Sequence, residues 1–175
     1  MKKIIKVFLG IIAIFIFISC NVASKSAAPT ISKLDIAKEK SEISQILDNL
    51  ANATESGNLE MLENIWLTTK DVLLIGTESD EKLYGWKEIK EAIIKQSKSF
   101  AETLISITDQ DIWISMDGNV AWFFEELNYN FVYEEKAMTF TGIRFTGVMQ
   151  KIDGNWRLVQ QHLSIPAQPV MVETK

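Results

Sequence analysis

Two Asp-Gly dipeptides, Asp117-Gly118 and Asp153-Gly154, do most to limit what this chain can fold into. Each suits the two-residue hairpin turn whose central positions both take positive φ. The flanking runs are long and rich in β-branched and aromatic residues. Thr103 to Met116, Val120 to Tyr133, Ala137 to Lys151 and Asn155 to Ile165 are therefore expected as four consecutive antiparallel strands.

Upstream the apolar period lengthens to that of a helix. From Asp35 to Glu55, Ile43, Ile46, Leu47, Leu50 and Ala51 fall on one face, and Gly57 ends the segment. Asn58 is a good N-cap for a second, shorter helix in which Leu59, Leu62, Ile65 and Trp66 share a face. Asp71 to Ile75 and Lys82 to Tyr84 read as a small hairpin around the turn Glu78 to Glu81. Gly85 breaks it, and Trp86 to Phe100 returns to helical spacing through Ile89, Ala92 and Ile93. Three helices and a hairpin ahead of a four-strand meander predict an α+β domain with segregated layers.

The ends carry different information. Three Lys within Met1 to Lys6 precede the apolar run Val7 to Ile18, too short to span a bilayer but right for a secretory leader. The only Cys, Cys20, follows directly after Ser19, and this placement resembles a bacterial lipoprotein signal in which that Cys becomes the lipidated first residue. The expected organisation is a leader over 1–19, lipidated Cys20 with a small, polar tether over 20–33, and one domain over 34–175. The resemblance implies a protein held by lipid on the extracytoplasmic side of the bacterial cell envelope.

One Cys leaves no intramolecular disulfide framework, and five Trp with nine Phe exclude a disordered chain. After loss of Lys2, Lys3 and Lys6, the cationic count falls from 18 to 15 against 23 acidic residues, a net charge of −8. Such a surface repels phosphate backbones, so nucleic acid is not an expected partner. One His and one Cys make no metal cluster, and no Gly-rich phosphate loop or nucleophile elbow occurs, so neither metal nor cofactor is expected.

The order helix, helix, hairpin, helix, meander resembles the cone-shaped fold of the nuclear transport factor 2 and ketosteroid isomerase superfamily, and within it SnoaL-like domains. The resemblance rests on Asp71 to Gly76, on Tyr84-Gly85-Trp86 with Lys87-Glu88-Ile89, and on Val120-Ala121-Trp122. At the carboxyl end it rests on Arg144-Phe145-Thr146, Asp153 to Val159 and His162 to Pro166. It implies three helices packed on a strongly curved, mostly antiparallel sheet, with a pocket at the open end of the cone. That pocket either does chemistry or binds a small molecule, and the family also pairs through the sheet, which makes a homodimer an expected assembly.

The position resembling the base of an isomerase is Gly76, which cannot move a proton, and Glu78 reads as a solvated turn residue. Strand alternation places His162 on one face with Trp156, Leu158, Gln160 and Ser164. If that face is concave, His162 and Gln160 would orient a ligand. Glu125 and Glu126 must point to opposite faces, and a cross-strand pair between Arg144 and the inward Glu is expected. Trp66, Tyr84, Trp113, Trp122 and Tyr129 are the aromatic candidates for the pocket wall, whereas Trp156 reads as a packing anchor. The expected function is binding of a small, mostly apolar molecule. The alternatives are a cofactor-free isomerase, dehydratase or hydrolase using His162 with Glu125 or Glu126, and a dimeric assembly module.

Overall fold

The computed structural model describes residues 35–78 and 80–167. The leader, Cys20 and the tether lie outside the described residues. Helix α1 (Ile36–Ser56) starts where the Asp35 side chain accepts from the Lys38 backbone N–H. It ends at Gly57, whose φ of +64° lets its N–H turn back to the last-turn carbonyls. Ile43, Leu47, Leu50 and Ala53 form its buried face. In α2 (Leu59–Ile65), Asn58 caps the Met61 N–H as expected. Trp66 departs from expectation: it leaves the helix in extended conformation and bridges to Leu158.

Strand β1 (Leu73–Ile75) pairs antiparallel with β2 (Lys82–Tyr84) and parallel with the last strand. Helix α3 (Gly85–Ser99) leads without a loop into β3 (Phe100–Ile114). Then come β4 (Val120–Tyr133), β5 (Lys136–Ile152) and β6 (Asn155–Ser164), turning at the two Asp-Gly pairs. The sheet order is β2-β1-β6-β5-β4-β3, and only the β1–β6 pairing is parallel.

Pairing slips by one residue near Glu102, at Thr108, near Gly142 and at Val159. Each slip is a bulge, which bends its strand and reverses which residues face inward beyond it. The bent sheet wraps α1 and α2, so one apolar core forms on its inner face from residues such as Ile43, Leu62, Phe123, Phe145 and Leu158. No helix among the described residues is long and apolar enough to cross a membrane.

Candidate functional site

The helices do not fill the concavity. A cavity of about 130 Å³ remains between α1, α3 and the inner face of the sheet. Its wall is mostly apolar, with Leu47 and Leu50 of α1, Leu62 and Trp66, Leu74 of β1, Phe145 of β5 and Leu163 of β6. The polar groups at the wall are Glu125, Tyr129, Gln96, Gln161 and Thr54. Thr54 spends its hydroxyl on the Leu50 carbonyl at 2.8 Å, which is what a threonine inside a helix usually does.

Glu125 is the outstanding group. It projects inward from the middle of β4 between Phe123 and Leu127, and it is 1% exposed. Its Oε1 accepts from Gln110 Nε2 at 2.6 Å, and Gln110 Oε1 accepts from Ser44 Oγ at 2.7 Å. Burial pushes its pKa from 4.5 up to about 7, against the lowering effect of the Gln110 hydrogen bond and with a further upward push from Asp48. Tyr129 is raised to about 12, first by burial; the hydrogen bond from Gln96 lowers it and the charge of Glu55 raises it. Its phenol accepts from Gln96 Nε2 at 2.8 Å, joining α3 to β4 at one side of the cavity.

Of the residues expected at a site, Trp66, Tyr129 and Glu125 line this cavity. The others stand elsewhere. Tyr84 is 57% exposed on β2, with Lys82 over its ring. Trp113 and Trp122 stack at 6.5 Å on the outer face of the sheet and are 42% and 46% exposed. Arg144 lies on that outer face opposite Glu126, not beside the inward Glu125. Its described hydrogen bond is to the Ile165 carbonyl at 3.4 Å, and no ion pair with Glu126 forms among the described residues. Glu126 instead accepts from Thr108 Oγ1.

Gln160 and His162 also face outward, opposite Val148 and Thr146. The reason is the bulge at Val159. Trp156 and Leu158 face in, one residue is then unpaired, and Gln161 and Leu163 take the inner face. His162 therefore does not meet Glu125 across a shared pocket. Trp156 is a packing anchor, 4% exposed, with its indole N–H on Glu39.

The polar residues missed from sequence are Gln161, Gln96 and Thr54 at the wall, and Gln110 and Ser44 behind Glu125. A signal for two of them existed. In β3, Ile105 and Ile107 are out of phase with Ile112 and Ile114; in β6, Trp156 and Leu158 are out of phase with Leu163. A change of phase within one apolar strand marks a bulge, and counting back from the later set puts Gln110 and Gln161 inside.

Gly76 lies on the same face of β1 as Leu74 and is buried. The place where its side chain would begin is taken by the Glu81 carboxylate, which accepts from the Thr77 N–H at 3.0 Å. Glu78 is exposed in the turn, as expected. No group of three or more metal-ligating side chains occurs among the described residues.

A family model described as a SnoaL-like domain matches residues 43–168. Among solved structures, the chain is similar to a nuclear transport factor 2-like superfamily protein from Salmonella enterica, at TM-score 0.70 and 19% identity, covering 79% of this chain and 99% of that one. It is also similar to a Streptomyces avermitilis protein described provisionally as a dehydratase of the NTF2-like family, at TM-score 0.67 and 16% identity over 75% and 99% of the two chains. A Xanthomonas campestris protein, described provisionally as a calcium/calmodulin-dependent protein kinase II association domain, matches at TM-score 0.62 and 19% identity over 73% and 88%. At these identities the likeness is one of fold. Comparison with curated proteins gives no match.

Proposed function

The chain belongs to the SnoaL-like domain family of the NTF2-like superfamily, and from that premise we propose that it binds a small, mostly apolar molecule in the cavity beneath its sheet, while lipid on Cys20 holds it at the extracytoplasmic side of a bacterial membrane. The observation that carries the reading is the cavity itself. Its wall is apolar apart from a few convergent polar groups, the usual build of a small-molecule site. A leader-like segment ending at the only Cys supports the anchor.

Native mass spectrometry of the gently purified protein tests the pocket. A discrete extra mass that Leu163→Trp removes and His162→Ala keeps supports it, because Leu163 lines the cavity and His162 does not. Unliganded protein from every preparation counts against it.

A cofactor-free enzyme is the second reading, favoured by the buried Glu125 carboxyl. A group with a pKa near 7 can both give and take a proton at neutral pH. On this reading Glu125 acts without His162, which lies on the other face. A third reading, a homodimer through the outer face, is supported by the exposed Trp113–Trp122 stack.

A further inference from the structure

We propose that the cavity takes a small primary amine, with its ammonium group on Glu125 and a single ring or branched alkyl body against the apolar wall. This rests on the pocket reading above and names the ligand class.

Size sets the body. A cavity of about 130 Å³ is close to the engineered cavity of about 150 Å³ that holds one benzene. One ring fits and a polycycle does not.

Charge sets the head group. Among the described wall residues the titratable groups are Glu125 and Tyr129, and none is Lys, Arg or His. Asp48 of α1 adds its negative charge at Glu125, and Glu55 of the same helix adds its own near Tyr129. β3 offers Glu125 only the neutral Gln110, and α2, α3, β1, β5 and β6 present no charged group to the cavity. An anion would meet only like charge there, and above pH 7, where Glu125 is ionised, a neutral guest would leave its carboxylate without a counter-ion. A cation supplies what the wall lacks.

Geometry agrees. Ser44 holds the Gln110 carbonyl, so the Gln110 amide N–H is committed to Glu125 Oε1, and the carboxyl is fixed before a guest arrives. Gln96 gives an N–H to Tyr129, which leaves its carbonyl oxygen as an acceptor at the same cavity. The Gln161 side chain offers another. An ammonium group donates three hydrogen bonds. The net charge of −5 steers cations towards the protein.

The test is calorimetric titration of the full chain with benzylamine, its neutral isostere benzyl alcohol, and benzoate. At pH 8 benzylamine is expected to bind at least tenfold tighter than benzyl alcohol, with no benzoate binding. Glu125→Gln should erase that preference, and lowering the pH to 5.5 should weaken benzylamine binding tenfold or more as Glu125 takes up its proton. Asp48→Asn, an exposed change that leaves the wall intact, should keep benzylamine binding and move its pH midpoint down. Equal binding of benzylamine and benzyl alcohol, unchanged in Glu125→Gln, would leave the pocket reading standing and overturn the amine. Preference for benzoate would overturn it too. Binding of none of the three would bring down both readings.

Discussion

The indole Nε1 of Trp156 donates a 2.7 Å hydrogen bond to Glu39 Oε2, joining the first turns of α1 to the β5–β6 hairpin across 117 residues of sequence. Lys151 closes the clasp: its Nζ contacts both carboxylate oxygens of Glu39, at 2.5 and 2.6 Å, and lies 5.4 Å from the centre of the Trp156 ring. The clasp ties the start of α1 to the β5–β6 hairpin.

The Lys151 and Trp156 hydrogen bonds hold the Glu39 carboxyl below its ordinary value of 4.5 against the opposing effect of burial. A lowered folded pKa means stability that is present above pH 4.5 and lost as pH falls through the folded value. Glu39→Gln is expected to cost about 2 kcal/mol at pH 6, the scale of hydrogen bonds to a charged group. The gap from wild type should narrow at pH 3. Urea midpoints at the two pH values check this, and a gap that widens in acid would contradict it.

Glu125 has the opposite sign. Its folded pKa is raised from 4.5 to about 7, so the folded state holds the proton more tightly than the unfolded chain. Its contribution is fully present below pH 4.5 and is lost as pH rises towards 7. That shift corresponds to on the order of 3 kcal/mol. Glu125→Gln keeps an acceptor for Gln110 and removes the titration, so it should flatten the fall in stability between pH 5 and 8. Parallel denaturation curves for mutant and wild type across that range would rule the assignment out.

Gly147 is inward on β5, paired with Phe123 on one side and Gln161 on the other. A Cβ there would lie 2.5 Å from Phe123 Cζ and 2.6 Å from the Gln160 carbonyl oxygen. Gly147→Ala should destabilise by about 1–3 kcal/mol, the usual range for overpacking. Adding Phe123→Leu should recover only part of it, because the Gln160 carbonyl is backbone. Thermal unfolding of the single and double variants measures the difference.

On the outer face, Trp113 and Trp122 stack with their planes 9° apart and nearly half their surface open. If this face pairs two copies, light scattering should give a dimer mass at micromolar concentration. Trp122→Ala should shift it to the monomer while leaving the melting temperature of the monomer within a few degrees. A wild-type protein that stays monomeric ends the assembly reading.

Lipid anchoring has its own assay. Cells fed a radioactive fatty acid should label the wild-type protein and not Cys20→Ala. Equal labelling of the two would remove the anchor from the proposed function.

The linear order of elements was readable because its causes are local. Asn58 caps the next turn, Gly57 supplies a left-handed residue, and Asp153-Gly154 makes the tight β5–β6 turn with both φ positive; between β3 and β4 only Gly118 takes positive φ, and the connection runs over residues 115–119 instead of two. The amphipathic face of α1 around Ile43, Leu47 and Leu50 was visible for the same reason, since helical period depends only on neighbours three and four apart. The resemblance through Arg144 to Pro166 then set the layers in the right arrangement.

The contents of the cavity were decided elsewhere. A strand's inward face follows from alternation only while pairing stays in register, and register belongs to two strands at once. One unpaired residue at Val159 put Gln161 and Leu163 inside and turned His162 out. Another at Thr108 put Gln110 against Glu125 and left Trp113 on the outer face. The sequence by itself determined that a helix-backed antiparallel sheet would form and where its turns would fall. Only the tertiary structure decided which side chains the sheet would enclose, because bending it far enough to cover the helices required bulges, and each bulge exchanges the two faces of the strand beyond it.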